Sequence, residues 1–161
     1  MPPYTLRPAT KDDIAHFFTW CYPPPYDSYN LSEGPTAADL AYYLDPCYRF
    51  HVVVDEADAV VAFCSFGEDG QVPGGDYSAD ALDIGMGMCP DLTGQGKGGA
   101  YVNQVVAFAL ATFAPPALRV TIAAFNRRAQ RVWQRAGFVE VGRFGRERDQ
   151  MPFIMYMRST T

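Results

Sequence analysis

Residues 82–100 read LDIGMGMCPDLTGQGKGGA, and this stretch decides the fold. Residues 82–88 have the short apolar character of a strand, and Pro90 ends the run. Gly94, Gly96, Gly98 and Gly99 follow in close succession. Over 100–113, Val102, Val105, Val106, Ala109, Leu110 and Phe113 recur at i, i+3, i+4 spacing and predict an amphipathic helix. Glycines between a strand and a helix leave backbone N–H groups without side-chain cover, and the helix start adds partial positive charge. That arrangement favours a phosphate or pyrophosphate.

Outward from this stretch, residues 4–8 read as a first strand, and Thr10 as the cap of a helix from Lys11. The helix must stop before 22–25, YPPP, because proline cannot continue it. Residues 22–35 form an aromatic, proline-stiffened loop, and 36–44 a second helix. Runs 49–54 and 59–66 read as a hairpin, and 67–80 as a polar, glycine-rich loop. Further on come a strand over 118–124, a helix over 127–136 with Asn126 as N-cap and Gly137 as C′ residue, and an antiparallel pair over 138–144 and 153–157. The order βααβββαβαββ predicts an α/β (α+β) fold, one domain over 1–161, with a mixed central sheet of about seven strands and helices on both faces.

Composition narrows the class. The chain is 48% hydrophobic and 14% aromatic, which excludes disorder. No apolar run reaches membrane-spanning length, so no membrane partner is expected. The opening MPPYTLRPATKDD lacks the apolar core of a signal peptide, so the expected location is cytoplasmic. Cys21, Cys47, Cys64 and Cys89 show no CxxC spacing and read as reduced thiols; with two histidines no metal site is expected. The net charge of −5 hides a partition. Residues 1–91 hold fifteen acidic and three basic side chains, and 92–161 three acidic and ten basic. No Asp or Glu falls in 92–139, whereas Lys97, Arg119, Arg127, Arg128, Arg131 and Arg135 all do. The C-terminal half suits a polyanionic ligand and the N-terminal half a cation, while nucleic acid is a poor partner for so acidic a chain.

Two common phosphate motifs fail here. A P-loop needs glycine at 91 and Ser or Thr at 98, where this chain has Asp91 and Gly98. A dinucleotide GxGxxG fits Gly94, Gly96 and Gly99, but it needs an acid about 20 positions on, and the acid-free stretch denies one. What fits is the combination of Pro90-x-x-Thr93-Gly94-x-Gly96-x-Gly98, entered from a strand, with Asn126-x-x-Ala129-x-x-x-Trp133-x-x-x-Gly137-Phe138 on the later helix. Together these resemble the acyl-CoA loop, Q/R-x-x-G-x-G/A, and the N-x-x-A-x-x-x-Y-x-x-x-G-F motif of the GNAT superfamily of N-acetyltransferases. The likeness extends over the element order of almost the whole chain. Two positions depart from the pattern: Thr93 replaces the usual Gln or Arg, and Trp133 the usual tyrosine.

The resemblance implies transfer of an acetyl group from acetyl-CoA, as co-substrate and without a metal, to a primary amine of a small molecule or peptide. Met86 and Met88 would offer backbone groups to the pantetheine arm. Thr93, Gly94, Gln95, Gly96, Lys97, Gly98 and Gly99 would hold the pyrophosphate, with Lys97 or Arg131 balancing its charge and Asn126 beside the arm. Asp83 is the first candidate for general base, and His51, which titrates in a useful range, the second. Trp133 cannot reprotonate a leaving thiolate, because an indole N–H has no acidity near neutral pH; Tyr156 or Tyr101 are the candidates to replace it. Tyr22, Tyr26 and Tyr29, with Trp20, would wall the acceptor pocket, and Asp27 and Glu33 would attract an ammonium. The same aromatic cluster also suits a homodimer contact. The alternative function is a catalytically weak acyl-CoA-binding sensor or interaction module.

Overall fold

The computed structural model describes residues 3–31 and 33–160; Met1, Pro2, Ser32 and Thr161 lie outside the described residues. In chain order the elements are β1 (Thr5–Pro8), α1 (Lys11–Phe18), α2 (Ala37–Tyr43), β2 (His51–Val54), β3 (Val60–Phe66), β4 (Leu82–Met88), α3 (Gly98–Phe113), β5 (Ala117–Ala123), α4 (Arg127–Arg135), β6 (Val139–Gly145) and β7 (Pro152–Ser159). This is the order expected from sequence.

Local chemistry sets the helix starts. The Thr10 hydroxyl accepts from the Asp13 N–H, and the Asp13 carboxylate accepts from the Thr10 N–H, closing a capping box. Thr36 and Asp39 repeat the device on α2. Asp13 also accepts from Arg7 at 2.6 and 3.1 Å, which ties β1 to α1. Helix α3 begins at Gly98, two residues earlier than its apolar pattern suggests. A Cβ on Gly98 would stand in ordinary contact with Val132 of α4 at 3.5 Å, so the head of α3 packs close to α4.

The seven-stranded sheet runs β1-β2-β3-β4-β5-β7-β6. Its pairs are antiparallel except β4 with β5, which are parallel and paired only at Leu82↔Leu118 and Asp83↔Arg119. Beyond that point β4 stays on β3, as far as Ala62↔Met88, and β5 stays on β7, as far as Ala123↔Phe153. The sheet therefore opens between its two central strands. Every strand on one side of the opening precedes residue 92 and every strand on the other follows it, so the charge partition of the sequence falls on this seam.

Each face of the sheet has its own apolar cluster. One joins Tyr101, Val102, Val105 and Val106 of α3 and Trp133 of α4 to Val53, Ile84, Leu118, Val120 and Ile154 of the strands. The other joins Ile14, Phe17, Phe18 and Trp20 to Leu40, Tyr43 and Phe63. Trp133 is buried edge-on against Phe138 at 5.0 Å between centroids.

Candidate active site

The alternation along β4 prepares the site. Leu82, Ile84, Met86 and Met88 pack toward α3. The opposite face carries Asp83, Gly85 and Gly87, since successive strand residues point to opposite faces. Both glycines are required by close approach. A Cβ on Gly87 would lie 2.4 Å from the Phe63 ring, and one on Gly85 would lie 2.5 Å from Ser65 Oγ and 3.2 Å from Asp69 Oδ2.

The backbone of β4 alternates as well. The Asp83 carbonyl accepts from Gly67 and the Cys89 N–H donates to Val61, so odd-numbered residues bond on the β3 side. Met86 and Met88 consequently turn their N–H and C=O groups into the opened gap. The Tyr22 hydroxyl reaches that edge and donates to the Met88 carbonyl at 2.7 Å.

After β4 a short 3-10 turn, Pro90–Leu92, leads to Gly94 and Gly96 at φ 73° and 75°. Those left-handed angles suit glycine, and nothing lies within 4 Å of a Cβ on Gly96, so conformation and not crowding selects it. The N–H groups of Gly94, Gln95, Gly96 and Lys97 have no acceptor among the described residues. Arg128 Nη1 stands 3.8 Å from where a Gly94 Cβ would be. Neither Lys97 nor Arg128 is in an ion pair among the described residues. The turn thus offers unused donors at the start of α3, with the Arg128 guanidinium, in no ion pair among the described residues, close beside it, which fits a diphosphate.

Asn126 caps α4, its Oδ1 accepting from the Ala129 N–H at 3.1 Å. Its Nδ2 donates to the Tyr29 hydroxyl at 3.2 Å. Tyr29 stacks on Phe125, and the Arg128 guanidinium lies 4.3 Å over the Tyr26 ring. The aromatic loop therefore straps the end of β4 to the head of α4, across the gap. Burial pushes the Tyr22 and Tyr29 phenols up, the Asn126 bond opposing it at Tyr29, so both hold their protons at neutral pH.

A cavity of about 390 Å³ passes through the gap. Thr93, Gly98, Arg128, Val132 and Trp133 line it toward the glycine turn, and Phe17, Trp20, Phe63, Asp69 and Gly85 line its other side. Among the described residues Asp69 is the one carboxylate in its wall and Arg128 the one cation. Ser65 Oγ donates to Asp69 Oδ2 at 2.6 Å, and the Tyr42 hydroxyl donates to Oδ1. No Lys or Arg pairs with Asp69 among the described residues. The sequence offered little sign of it, because 67–80 reads as a generic polar loop and its two donors arrive from β3 and α2.

Several expectations change. Asp83 is 3% exposed and lines no part of the cavity. Arg119 Nε and Nη2 donate to its two oxygens at 2.7 and 2.8 Å, and Gln71 Nε2 adds a third bond at 2.9 Å. A carboxylate so fully occupied joins the strands and is not placed to take a proton from substrate. His51 is also off the cavity, with Nδ1 on the Arg49 carbonyl at 2.7 Å and its ring packed on Phe66 and Phe108. Tyr156 is buried on Gln130, and Tyr101 edge-on to Tyr4; neither reaches the cavity. Asp27 and Arg131 are exposed and outside the lining, where Asp69 and Arg128 stand instead. The Tyr22, Tyr26 and Tyr29 side chains do line it, as do Met86, Met88, Thr93, Gly98 and Asn126.

The sheet is thus opened between its parallel central strands, and a donor-rich turn leads from that opening into the next helix. The Acetyltransferase (GNAT) domain family matches residues 4–139, and the chain belongs to that family of acetyltransferases. Solved structures agree on the fold. Spermidine N-acetyltransferase from Vibrio cholerae, in complex with CoA and spermine, superposes with a TM-score of 0.75 at 16% identity, over 98% of this chain and 95% of that one. Aminoglycoside acetyltransferase AAC(6')-Ib in complex with coenzyme A gives 0.76 at 17%, over 98% and 95%. No curated protein matches the sequence at significance. Among the described residues no group of three His, Cys, Asp or Glu side chains could hold a metal, and no helix is long and apolar enough to cross a membrane.

Proposed function

We propose that this enzyme moves an acetyl group from acetyl-CoA to a primary amine of a small molecule or peptide. The observation carrying this reading is a cavity at the gap between β4 and β5. It is lined by Thr93 and Gly98, at the two ends of the glycine turn, and by Asp69, a carboxylate with no ion-pair partner among the described residues. Acetyl-CoA supplies a thioester, an acyl group already activated toward a nucleophile. The N–H groups of Gly94, Gln95, Gly96 and Lys97 hold the diphosphate, with Lys97 and Arg128 balancing its charge. Thr93, Gly98 and Gly99 complete the turn. The Met86 backbone groups and the Met88 N–H bind the arm as an added strand edge, the Met88 carbonyl being held by Tyr22, and Asn126 stands beside it.

Asp69 receives the proton of the incoming ammonium, directly or through water. In water that transfer is uphill by about 6.5 pKa units, or about 9 kcal/mol. The neutral amine forms transiently against the carboxylate, and its capture by the thioester draws the transfer forward. Trp133 supplies no proton, so as the C–N bond forms and the C–S bond breaks, a thiol resembling that of cysteine, pKa about 8.5, departs as the thiolate. The second proton shed by the nitrogen passes through water to that thiolate. Positioning of the two reactants then carries most of the rate.

Thiol release from acetyl-CoA over a panel of amines tests the reading, alongside calorimetric CoA binding. Amine-dependent release above hydrolysis is expected. CoA binding with no release on any amine would instead favour the sensor function, for which Trp133 in the cavity wall is the specific observation. Absence of CoA binding would overturn both.

A further inference from the structure

We propose that the acceptor is a compact monoamine with an aromatic or branched apolar body, its single ammonium seated on Asp69; this rests on the transferase reading above. The acceptor side of the cavity is walled by Phe17, Trp20, Leu31, Phe63, Val72 and Phe153. Phe17 and Phe63 stack at 4.3 Å, and Trp20 meets Phe63 at 5.9 Å, so this wall is a continuous aromatic surface. Polar groups are few and mostly engaged. The Thr121 hydroxyl is 2.8 Å from that of Tyr77, and the Tyr22 hydroxyl is committed to the Met88 carbonyl.

Asp69 is half-buried and differs from the two buried carboxylates among the described residues, Asp13 and Asp83. Asp83 has Arg119 and Asp13 has Arg7, whereas Asp69 is held by two neutral hydroxyls and has no ion-pair partner among the described residues. An unneutralised carboxylate in an apolar wall is costly alone and binds one cation strongly. It satisfies one ammonium and no more. A triamine or an aminoglycoside would bring further ammonium groups against rings and aliphatic carbons, with no second carboxylate among the described lining residues to meet them. The apolar body of a monoamine meets that same wall by burial, and its ammonium gains from ring faces as well. At about 390 Å³ the cavity is at the small end for ligand sites, and it must also admit the acyl arm, so the body is compact.

The test compares kcat/KM for 2-phenylethylamine, spermidine and kanamycin under saturating acetyl-CoA. The expected order places 2-phenylethylamine above spermidine and kanamycin by about tenfold or more. Asp69→Asn should lower the 2-phenylethylamine value by about a hundredfold while the CoA Kd stays within about twofold. A preference for spermidine or kanamycin would overturn the proposal and leave the transferase reading intact, and an unaffected Asp69→Asn would overturn the ammonium seat. If CoA binds and no amine is turned over, the transferase reading fails by itself. Calorimetry on the CoA-loaded protein then decides the proposal: tighter binding of 2-phenylethylamine than of spermidine supports it, and the reverse refutes it.

Discussion

Arg119→Met should destabilise the protein by about 4 kcal/mol without entering the chemistry. Arg119 and Asp83 face each other at the last pair of the β4–β5 ladder, both almost wholly buried. The substitution removes two charge-assisted hydrogen bonds to Asp83, at 2.7 and 2.8 Å, each worth about 1.5–3 kcal/mol. It leaves a buried carboxylate supported by Gln71 alone, and breaking such a pair costs about 3–5 kcal/mol. Against a total stability of about 5–15 kcal/mol that is a large fraction. For a chain of this length it corresponds to a fall in Tm of about 6–20 °C. The double variant Asp83→Leu, Arg119→Met removes both charges and should recover to within about 2 kcal/mol of the parent, short of full recovery because Ala79 O also loses its donor. Urea denaturation of the four proteins of this cycle, with kinetics on the same samples, is the assay. The reasoning is refuted if the single changes cost under about 1 kcal/mol, or if Asp83→Asn leaves stability intact and shifts the pH profile of kcat.

Gly96→Ala puts a side chain at φ 75° with no neighbour to clash, so it should cost about 1–2 kcal/mol of backbone strain. Calorimetry should show the CoA Kd weakened about tenfold, with Gly96→Asn recovering part of it because asparagine tolerates that conformation. Gly87→Ala drives a methyl to 2.4 Å from the Phe63 ring and should cost about 1–3 kcal/mol in urea, relieved by Phe63→Leu in the same chain. Burial acts to raise the Asp13 carboxyl, but hydrogen bonds from Arg7 and Thr10 outweigh it and hold it below its ordinary value. Its contribution to stability is therefore full above about pH 4 and lost as pH falls through the lowered folded value. Unfolding free energies measured from pH 5 to 2 should fall less steeply in Arg7→Met than in the parent.

The strand–turn–helix around the glycines was legible because its signals are local. Pro90, the glycines and the apolar rhythm of α3 all act within a few residues of one another. Thr10 and Asn126 were readable as caps for the same reason. Asp83 was misread because its partner, Arg119, sits 36 residues away and meets it only through the parallel pairing of β4 and β5. Asp69 was missed because Tyr42, Ser65 and Gly85 converge on it from three separate elements. The tyrosine loop was expected to wall an acceptor pocket. Its bonds to Met88 and Asn126 depend on where β4 and α4 end in space, which no local pattern encodes.

The charge partition has a consequence for encounter rates. Because the seam between the acidic and basic halves coincides with the opened gap, the molecule carries a permanent electric dipole directed across its own cavity. An anionic ligand drifting in from bulk is turned toward the wall of β5 and α4, and a cationic one toward the wall of β4, before either touches the protein. Such guidance acts over roughly a Debye length, about 8 Å at physiological salt, so the apparent second-order rates for both ligands should fall together as salt is raised.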